Sequence, residues 1–556
     1  MQSSVLTAQK SLISALRPVG LPAYSERPKA TKGKAFKIPA SHEDCPRTDT
    51  SVRMTRRVKC SDPIDGEYEF GGEMFIDNIQ ATVLACLALY VTHFIYRKVT
   101  GPLAQIPGPE ISKWTEAVYV YYWLRGEIPF YVHRLHEQYG PIVRTSPGQV
   151  DICDLDAVKD IHKINSRFLK SEWYRKLVAG GHETMFSTLD RQFHAERRRL
   201  LAMPISESSL SKMEPIVLAR VQTAIDRMEE EMRLGGVADV FKWWLFMATD
   251  IIGELSFGES FRMLEAKEKT QYSIDLENLS RVQAVRIAFP FLVSIGKYVP
   301  FPAFKAAGEA AKRIGQYSYQ SIERYKRILA ENPENPKPTL FTKMFEEKSG
   351  LTHEQIRHEA QAYIIAGSDT TAVTLTYLIY SVCRSEGIRK KLVEEVSLVS
   401  EPLTSQKLRE LPYLNQVIEE TLRLHPAVSM ALPRTVPPEG YTFDGYFIPG
   451  GTGIGTQAYS VHRDPIIFPD PLEFKPERWQ SPSREMKDAS LAFGGGSRVC
   501  IGIHLAHMEM RLGTALFFRK FPSAQVSARE GMSENDMDME AFFLMAPRGH
   551  RCLIEA

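Results

Sequence analysis

Cysteine is sparse in this chain of 556 residues, and charges of opposite sign nearly cancel. The seven cysteines (Cys45, Cys60, Cys86, Cys153, Cys383, Cys500 and Cys552) show no paired spacing, so a disulfide-stapled scaffold is excluded and a reducing compartment fits better. No CxxC pair and no His/Cys spacing of a zinc site occurs. A formal net charge of +2 lacks the domain-wide basic surplus of a nucleic-acid binder, leaving any electrostatic partner to a local patch. Acid is missing altogether from residues 1–25, and Ser, Pro, Lys and Arg dominate the chain up to about residue 70.

Such a segment cannot bury enough apolar surface to fold, so residues 1–73 are expected to be a disordered extension. Its basic, acid-poor start has some transit-peptide character, but Pro18 and Pro22 interrupt the amphipathic helix that targeting needs. The apolar run from Ile79 to Tyr96 then reaches about 27 Å as a helix, against a hydrocarbon core of about 30 Å. Residues 74–98 are therefore expected to form a single-pass signal anchor. Arg97 and Lys98 follow the run and Glu73 and Asp77 precede it, which places the C-terminal bulk in the cytosol. That orientation would send a basic tail across the membrane, which its charge opposes; Met74 is therefore expected to be the working start of the mature chain. Residues 99–110, with Ile106-Pro107-Gly108-Pro109, read as a stiff extended hinge, and 111–556 as one catalytic domain.

The most informative window is Phe493-Gly494-Gly495-Gly496-Ser497-Arg498-Val499-Cys500-Ile501-Gly502, a glycine-rich loop that leads into a helical pattern from Ile503. A thiolate at Cys500 would sit at a helix N-terminus, where unpaired N–H groups and the dipole lower its pKa and equip it either to bind a metal or to act as a nucleophile. The glycines let the backbone approach a flat ligand, and Arg498 can reach an acidic group on it. Upstream, Thr352-His353-Glu354-Gln355 is a capping box whose helix runs to about Cys383. Inside it lies Ala366-Gly367-Ser368-Asp369-Thr370-Thr371, where a mid-helix Gly costs about 1 kcal/mol relative to Ala, a local cost that points to function. Glu420 and Arg423 share a helical face at i, i+3, and Arg478 is the candidate third member of a buried charge network. His194 and Arg198 share a face at i, i+4, while Arg197 and Arg199 point elsewhere and are candidates to dock an acidic partner.

Phe493, Gly496, Arg498, Cys500 and Gly502 meet the spacing Phe-x-x-Gly-x-Arg-x-Cys-x-Gly, which resembles the haem-binding signature of the cytochrome P450 family. The Ala366–Thr371 hexamer, the Glu420/Arg423 pair and Pro476-Glu477-Arg478-Trp479 resemble the family's other motifs in order and approximate spacing, so the likeness covers essentially all of the chain from residue 110 onward. It implies a mainly α fold with small β-sheets (α+β), the cytochrome P450 fold, behind the membrane anchor. It implies Cys500 as the axial ligand of haem b, in a loop shaped by Phe493 and Gly502, with Arg498, Arg434, His194 and Arg198 holding the propionates. Asp369 and Thr370 would manage protons during oxygen activation, with Gly367 leaving room for dioxygen. Glu420, Arg423 and Arg478 would be structural, holding the loop behind the haem. Ala366, Val428, Met430, Phe542 and Phe543 would line a substrate pocket, and Ala284 to Phe304 would cover its channel.

The implied function is a haem-thiolate monooxygenase that inserts one oxygen atom from O2 into a lipophilic small molecule by hydroxylation, epoxidation or desaturation, in the manner of fungal microsomal enzymes of secondary metabolism. No flavin or nicotinamide fingerprint occurs, so electrons from NADPH would come through a separate cytochrome P450 reductase, with cytochrome b5 as a second donor. The implied setting is a monomer on the endoplasmic reticulum membrane with its catalytic domain in the cytosol. Two alternatives stand beside it: a haem-thiolate isomerase or dehydratase that needs no reductase, which the Asp369–Thr370 pair disfavours, and a non-catalytic haem-binding protein.

Overall fold

The computed structural model describes residues 72–178, 182–266, 268–291, 302–331 and 338–556. The expectations for residues 1–71 and for the apolar stretch 292–301 lie outside them. Contacts divide the chain into two compact units, Met1–Thr92 and His93–Ala556. Apolar residues surround the helix Gly72–Thr100 on every side, and those from Ile79 to Tyr96 are exposed, Leu89 by 71%. Its span Ile79–Thr100 is the one helix among the described residues long and apolar enough to cross a membrane.

The second unit is mainly helical, and its axis is the 31-residue helix His353–Cys383. The expected capping box forms: Gln355 N–H donates to Thr352 Oγ1 at 3.2 Å and Thr352 N–H to Gln355 Oε1 at 3.0 Å. This long helix packs against Val240–Phe257, which is buried at every position except Lys242 and Glu254. Helices Glu207–Gly235, Pro412–Leu424 and Ile503–Lys520 complete the core, with Trp244, Phe246, Tyr377 and Phe517 among its largest fully buried side chains. Each such side chain contributes roughly 1.5–3 kcal/mol by leaving water. Gly513 lets the helix Ile503–Lys520 close on the long helix, since a Cβ there would meet Leu375 Cδ2 at 3.2 Å.

Beside this helical core lies a five-stranded sheet, in the order Ile142–Ser146, Gln149–Ile152, Gly453–Gly455, Arg434–Thr435 and Leu169–Lys170. Its last antiparallel pair sets Lys170 opposite Arg434. The expected hinge 99–110 is not free but docked onto this sheet. Arg144 N–H donates to Pro107 O at 2.7 Å, Arg144 Nη1 donates to Leu103 O at 2.9 Å, and Ile106 is buried. Nor is the hinge extended throughout: Pro102–Gln105 winds into a 3-10 turn and only the stretch from Ile106 to Pro109 is extended, where Gly108 permits the contact because a Cβ would strike Arg144 O at 2.5 Å.

Candidate active site

The cysteine loop is built by short backbone bonds. Cys500 N–H donates to Phe493 O at 2.9 Å, and Gly494 N–H to Leu491 O at 2.8 Å. Gly496 has φ +58°, and a Cβ on it would lie 1.8 Å from His162 O, so the loop presses on the end of helix Leu155–His162 and tolerates only glycine there. The Phe493 ring packs on His507, centroids 5.3 Å apart, and Gly502 is the N-cap of the helix Ile503–Lys520.

The Cys500 side chain is exposed, yet burial pushes its thiol up, against the opposing pull of the Gly502 N–H and of Arg198. The two observations agree if the sulfur faces an enclosed recess rather than bulk water. This corrects the expectation of a depressed thiol: the helix-terminal field is present, but desolvation outweighs it. A thiol so placed is a poor free nucleophile, and a cation bonded to sulfur is what would stabilise its anion.

Beside the loop is a cavity of about 150 Å³ lined by Lys170, Arg191, His194, Arg434 and Arg498. Lys170 and Arg434 reach it from their paired strands, both 7% exposed. Arg498 donates to Thr188 O at 3.1 Å and Asp190 O at 3.3 Å, and Arg198 donates to Val499 O at 2.8 Å. Among the described residues, no hydrogen bond or ion pair joins any of Lys170, Arg198, Arg434 and Arg498 to a carboxylate, and Arg434 Nε has no partner at all. Burial and mutual repulsion lower their affinities for protons: Arg498 to about 10, His194 to about 3, and Lys170 well below its ordinary value. Buried cations without counter-charges are costly, and an anionic ligand would relieve them. The four expected anion-binding residues are thus brought together, and Lys170 joins them. Nothing local in the sequence marks Lys170; its position follows from a two-residue strand pairing.

Along the long helix, Ala366 is exposed although Ile364 and Ser368 on either side are buried, so the helix borders an open recess there. One turn earlier Tyr363 feels the charge of Cys500. Thr370 Oγ1 donates to Ala366 O at 2.7 Å. Burial and Glu277 push the Asp369 carboxyl up to about 7, with His550 opposing. Gly367 departs from expectation: a Cβ there would lie 2.8 Å from Ile252 Cγ1, so its missing side chain serves helix packing rather than space beside a ligand. Arg197 also departs, being 8% exposed, over the Phe193 ring and 3.9 Å from Glu359 Oε1; Arg199 stays exposed.

Behind the cysteine loop Glu420 is fully buried. It accepts from Arg423 Nε at 2.9 Å and Nη2 at 2.8 Å, Arg478 Nε at 3.0 Å, Lys475 N–H at 2.9 Å and Trp479 Nε1 at 2.9 Å. Arg423 Nη1 then donates to His462 O at 2.8 Å. The His462 ring completes the relay: Leu491 N–H donates to Nε2 at 2.8 Å, so Nδ1 carries the hydrogen donated to Arg423 O at 2.8 Å. Burial holds this imidazole neutral, its pKa lowered to about 3. The network thereby fixes Leu491, where the cysteine loop begins.

Val428 and Met430 line a cleft with Leu432 and Gly494 of the cysteine loop. Met430, Phe542 and Phe543 belong to one apolar cluster, tied by the Met545 N–H bond to Ala427 O at 2.8 Å. Phe542 is 6% exposed, whereas Phe543 is partly open and near Phe186, centroids 5.8 Å apart.

Comparison with known proteins bears on this geometry. The chain is 50% identical over 480 residues to cytochrome P450 monooxygenase tazI of Aspergillus terreus, covering 86% of this chain and 98% of that protein. It is 48% identical over 472 residues to cytochrome P450 monooxygenase orf2 of Aspergillus niger, covering 84% and 96%. A more distant relative, cytochrome P450 monooxygenase stcB of Emericella nidulans, is 34% identical over 469 residues, covering 82% and 88%. The family model for cytochrome P450 matches residues 109–553, so the chain belongs to the cytochrome P450 family and is a cytochrome P450 monooxygenase.

Proposed function

We propose that the chain is a membrane-anchored enzyme of fungal secondary metabolism that inserts one atom of O2 into a lipophilic small molecule. The observation that carries the reading is the cation cluster without a counter-charge beside the Cys500 thiol, which fits a dicarboxylate ligand with a metal at its centre. Haem b held there supplies the iron chemistry of oxygen activation, with electrons from NADPH through a partner reductase.

In this reading Cys500 Sγ would hold the haem iron, and Phe493 and Gly502 shape its loop. Lys170, His194, Arg198, Arg434 and Arg498 bind and orient the propionates. The Asp369 carboxyl, near half-protonated at neutral pH, accepts protons from the solvent side and delivers them towards the recess. The Thr370 hydroxyl, anchored on Ala366 O, rotates to pass a hydrogen bond onward. Glu420, Arg423 and Arg478 hold the loop from behind. Ala366, Val428, Met430 and Phe543 offer apolar contact to substrate, with Phe542 packed behind them, which favours a lipophilic molecule. Residues 74–98 anchor the chain in the endoplasmic reticulum membrane, and 111–556 form the catalytic domain on the cytosolic side.

The test is Cys500→Ala. The red-shifted Soret band of the reduced carbonyl complex should vanish in the variant while haem is still taken up in part; a retained band refutes the ligand assignment. Incubation of the wild-type enzyme with reductase, NADPH and 18O2 should label the product. Turnover without NADPH, or without label, points instead to an isomerase.

A further inference from the structure

Away from the recess, two imidazoles and a carboxylate converge. Glu354 and His358 lie four residues apart at the start of the long helix and so share a face. His182 comes from the chain that precedes the helix Arg191–Ala202, and its ring stacks on that of His358 with centroids 3.8 Å apart and planes inclined by 21°. His182 Nε2 is 4.0 Å and His358 Nε2 is 3.7 Å from Glu354 Oε1, and the candidate ligand atoms of the three residues all lie within 4.8 Å of one another.

We propose that His182, Glu354 and His358 bind a divalent transition-metal ion, zinc being the best match, that ties segment 182–190 to the start of the long helix. Tetrahedral zinc with bonds of about 2.0–2.2 Å sets ligand atoms roughly 3.3–3.5 Å apart. Reaching that geometry requires the exposed His182 ring to rotate out of its stack on His358, because imidazole lone pairs lie in the ring planes and stacked rings direct them in parallel. Two nitrogens and one oxygen suit zinc or copper and not calcium or magnesium, which take oxygen shells.

Arg357 shows that the site already attracts positive charge. Its Nη2 is 3.4 Å from Glu354 Oε1 and 3.3 Å from His358 Nε2. A guanidinium can only donate, so His358 presents a lone pair at Nε2, the state a metal requires. The Arg357 side chain is 29% exposed and can withdraw into solvent, which makes it a competitor for the ion rather than a barrier.

The tie has a structural consequence. Met185 N–H already donates to Glu359 Oε1 at 2.8 Å, fixing the middle of the segment to the same helix. Phe186 O accepts from Lys170 of the cation cluster, and Asp190 caps the helix that carries His194 and Arg198. Metal at His182 would stiffen this wall of the recess from its far end.

The test titrates zinc chloride, against a chromophoric zinc indicator, into untagged full-length holoenzyme in detergent after chelator treatment. One saturable site per chain is expected. His182→Gln and Glu354→Gln should each weaken it at least about tenfold with the haem spectrum intact, and Arg357→Met should tighten it. Hydrogen exchange across 182–190 should slow with zinc in the wild type and not in His182→Gln. Absence of saturable binding overturns the proposal, as does equal affinity in His182→Gln or weaker binding in Arg357→Met.

Discussion

Two buried charged regions of this molecule follow opposite rules. Around Glu420 one carboxylate meets two guanidiniums, a backbone N–H and an indole, and the remaining donors of Arg423 and Arg478 reach carbonyls such as Pro471 O and Pro469 O, each at 2.7 Å. Around Arg434 several cations gather with no carboxylate bonded to them. The first region is complete without a ligand, and its charges serve only to fix loops. The second carries positive charge that no carboxylate among the described residues meets, which is what supports the proposed anion site. Unpaired buried charge distinguishes a binding site from a scaffold better than charge itself does.

Breaking the finished region should have the largest effect. Glu420→Ala strands two buried guanidiniums, at a cost of roughly 3–5 kcal/mol or more, and should leave little folded, haem-loaded protein by thermal unfolding and haem assay. If that variant kept full haem content and wild-type stability, the contrast would collapse.

Asp369 sharpens the comparison, being a half-buried carboxyl with no hydrogen bond or ion pair to its side chain among the described residues. Its Asn variant should turn over about 100-fold more slowly and lose an inflection near pH 7 in the kcat profile. Stability gives a second readout. The folded pKa of about 7 lies above the ordinary 3.8 of an aspartate, so between the two the folded chain holds this proton while the unfolded chain releases it. The stability it contributes is fully present below about pH 4 and is lost as pH rises through about 7. The wild type should therefore lose more thermal stability than Asp369→Asn between those limits.

The smallest effect is expected in the second region. Arg434→Ala should leave the haem-free protein as stable as the wild type or more so, because a buried, partly unbonded cation that repels Lys170 and Arg498 is removed. Transfer of haem to an acceptor apoprotein should meanwhile become about tenfold faster, as one charge-assisted contact is lost. A fall in haem-free stability comparable to that of Glu420→Ala would show that the cluster is scaffold after all.

Much of this was legible in the residues. Thr352 and Gln355 announced the long helix because a capping box satisfies the first free N–H groups within one turn. Glu420 with Arg423 announced the charged pair because i, i+3 spacing is local geometry, whereas Arg478 was joined to them only through the family resemblance. Other features escaped. Lys170 enters the cluster through strand register, Arg197 turns inward to Glu359, and the Gly108 segment docks on Arg144 across a long stretch of chain. None of these depends on neighbours in sequence.

The sequence by itself determined the fold family, through the resemblance its short motifs bear to cytochrome P450s, and it singled out Cys500 as the proposed iron ligand, because motif spacing is a short-range property. Tertiary structure alone decided the direction of the Cys500 shift, the purpose of Gly367 and the membership of the cation cluster. The reason is that desolvation and long-range charge are summed over every segment that packs around a group, and no window of sequence contains that sum.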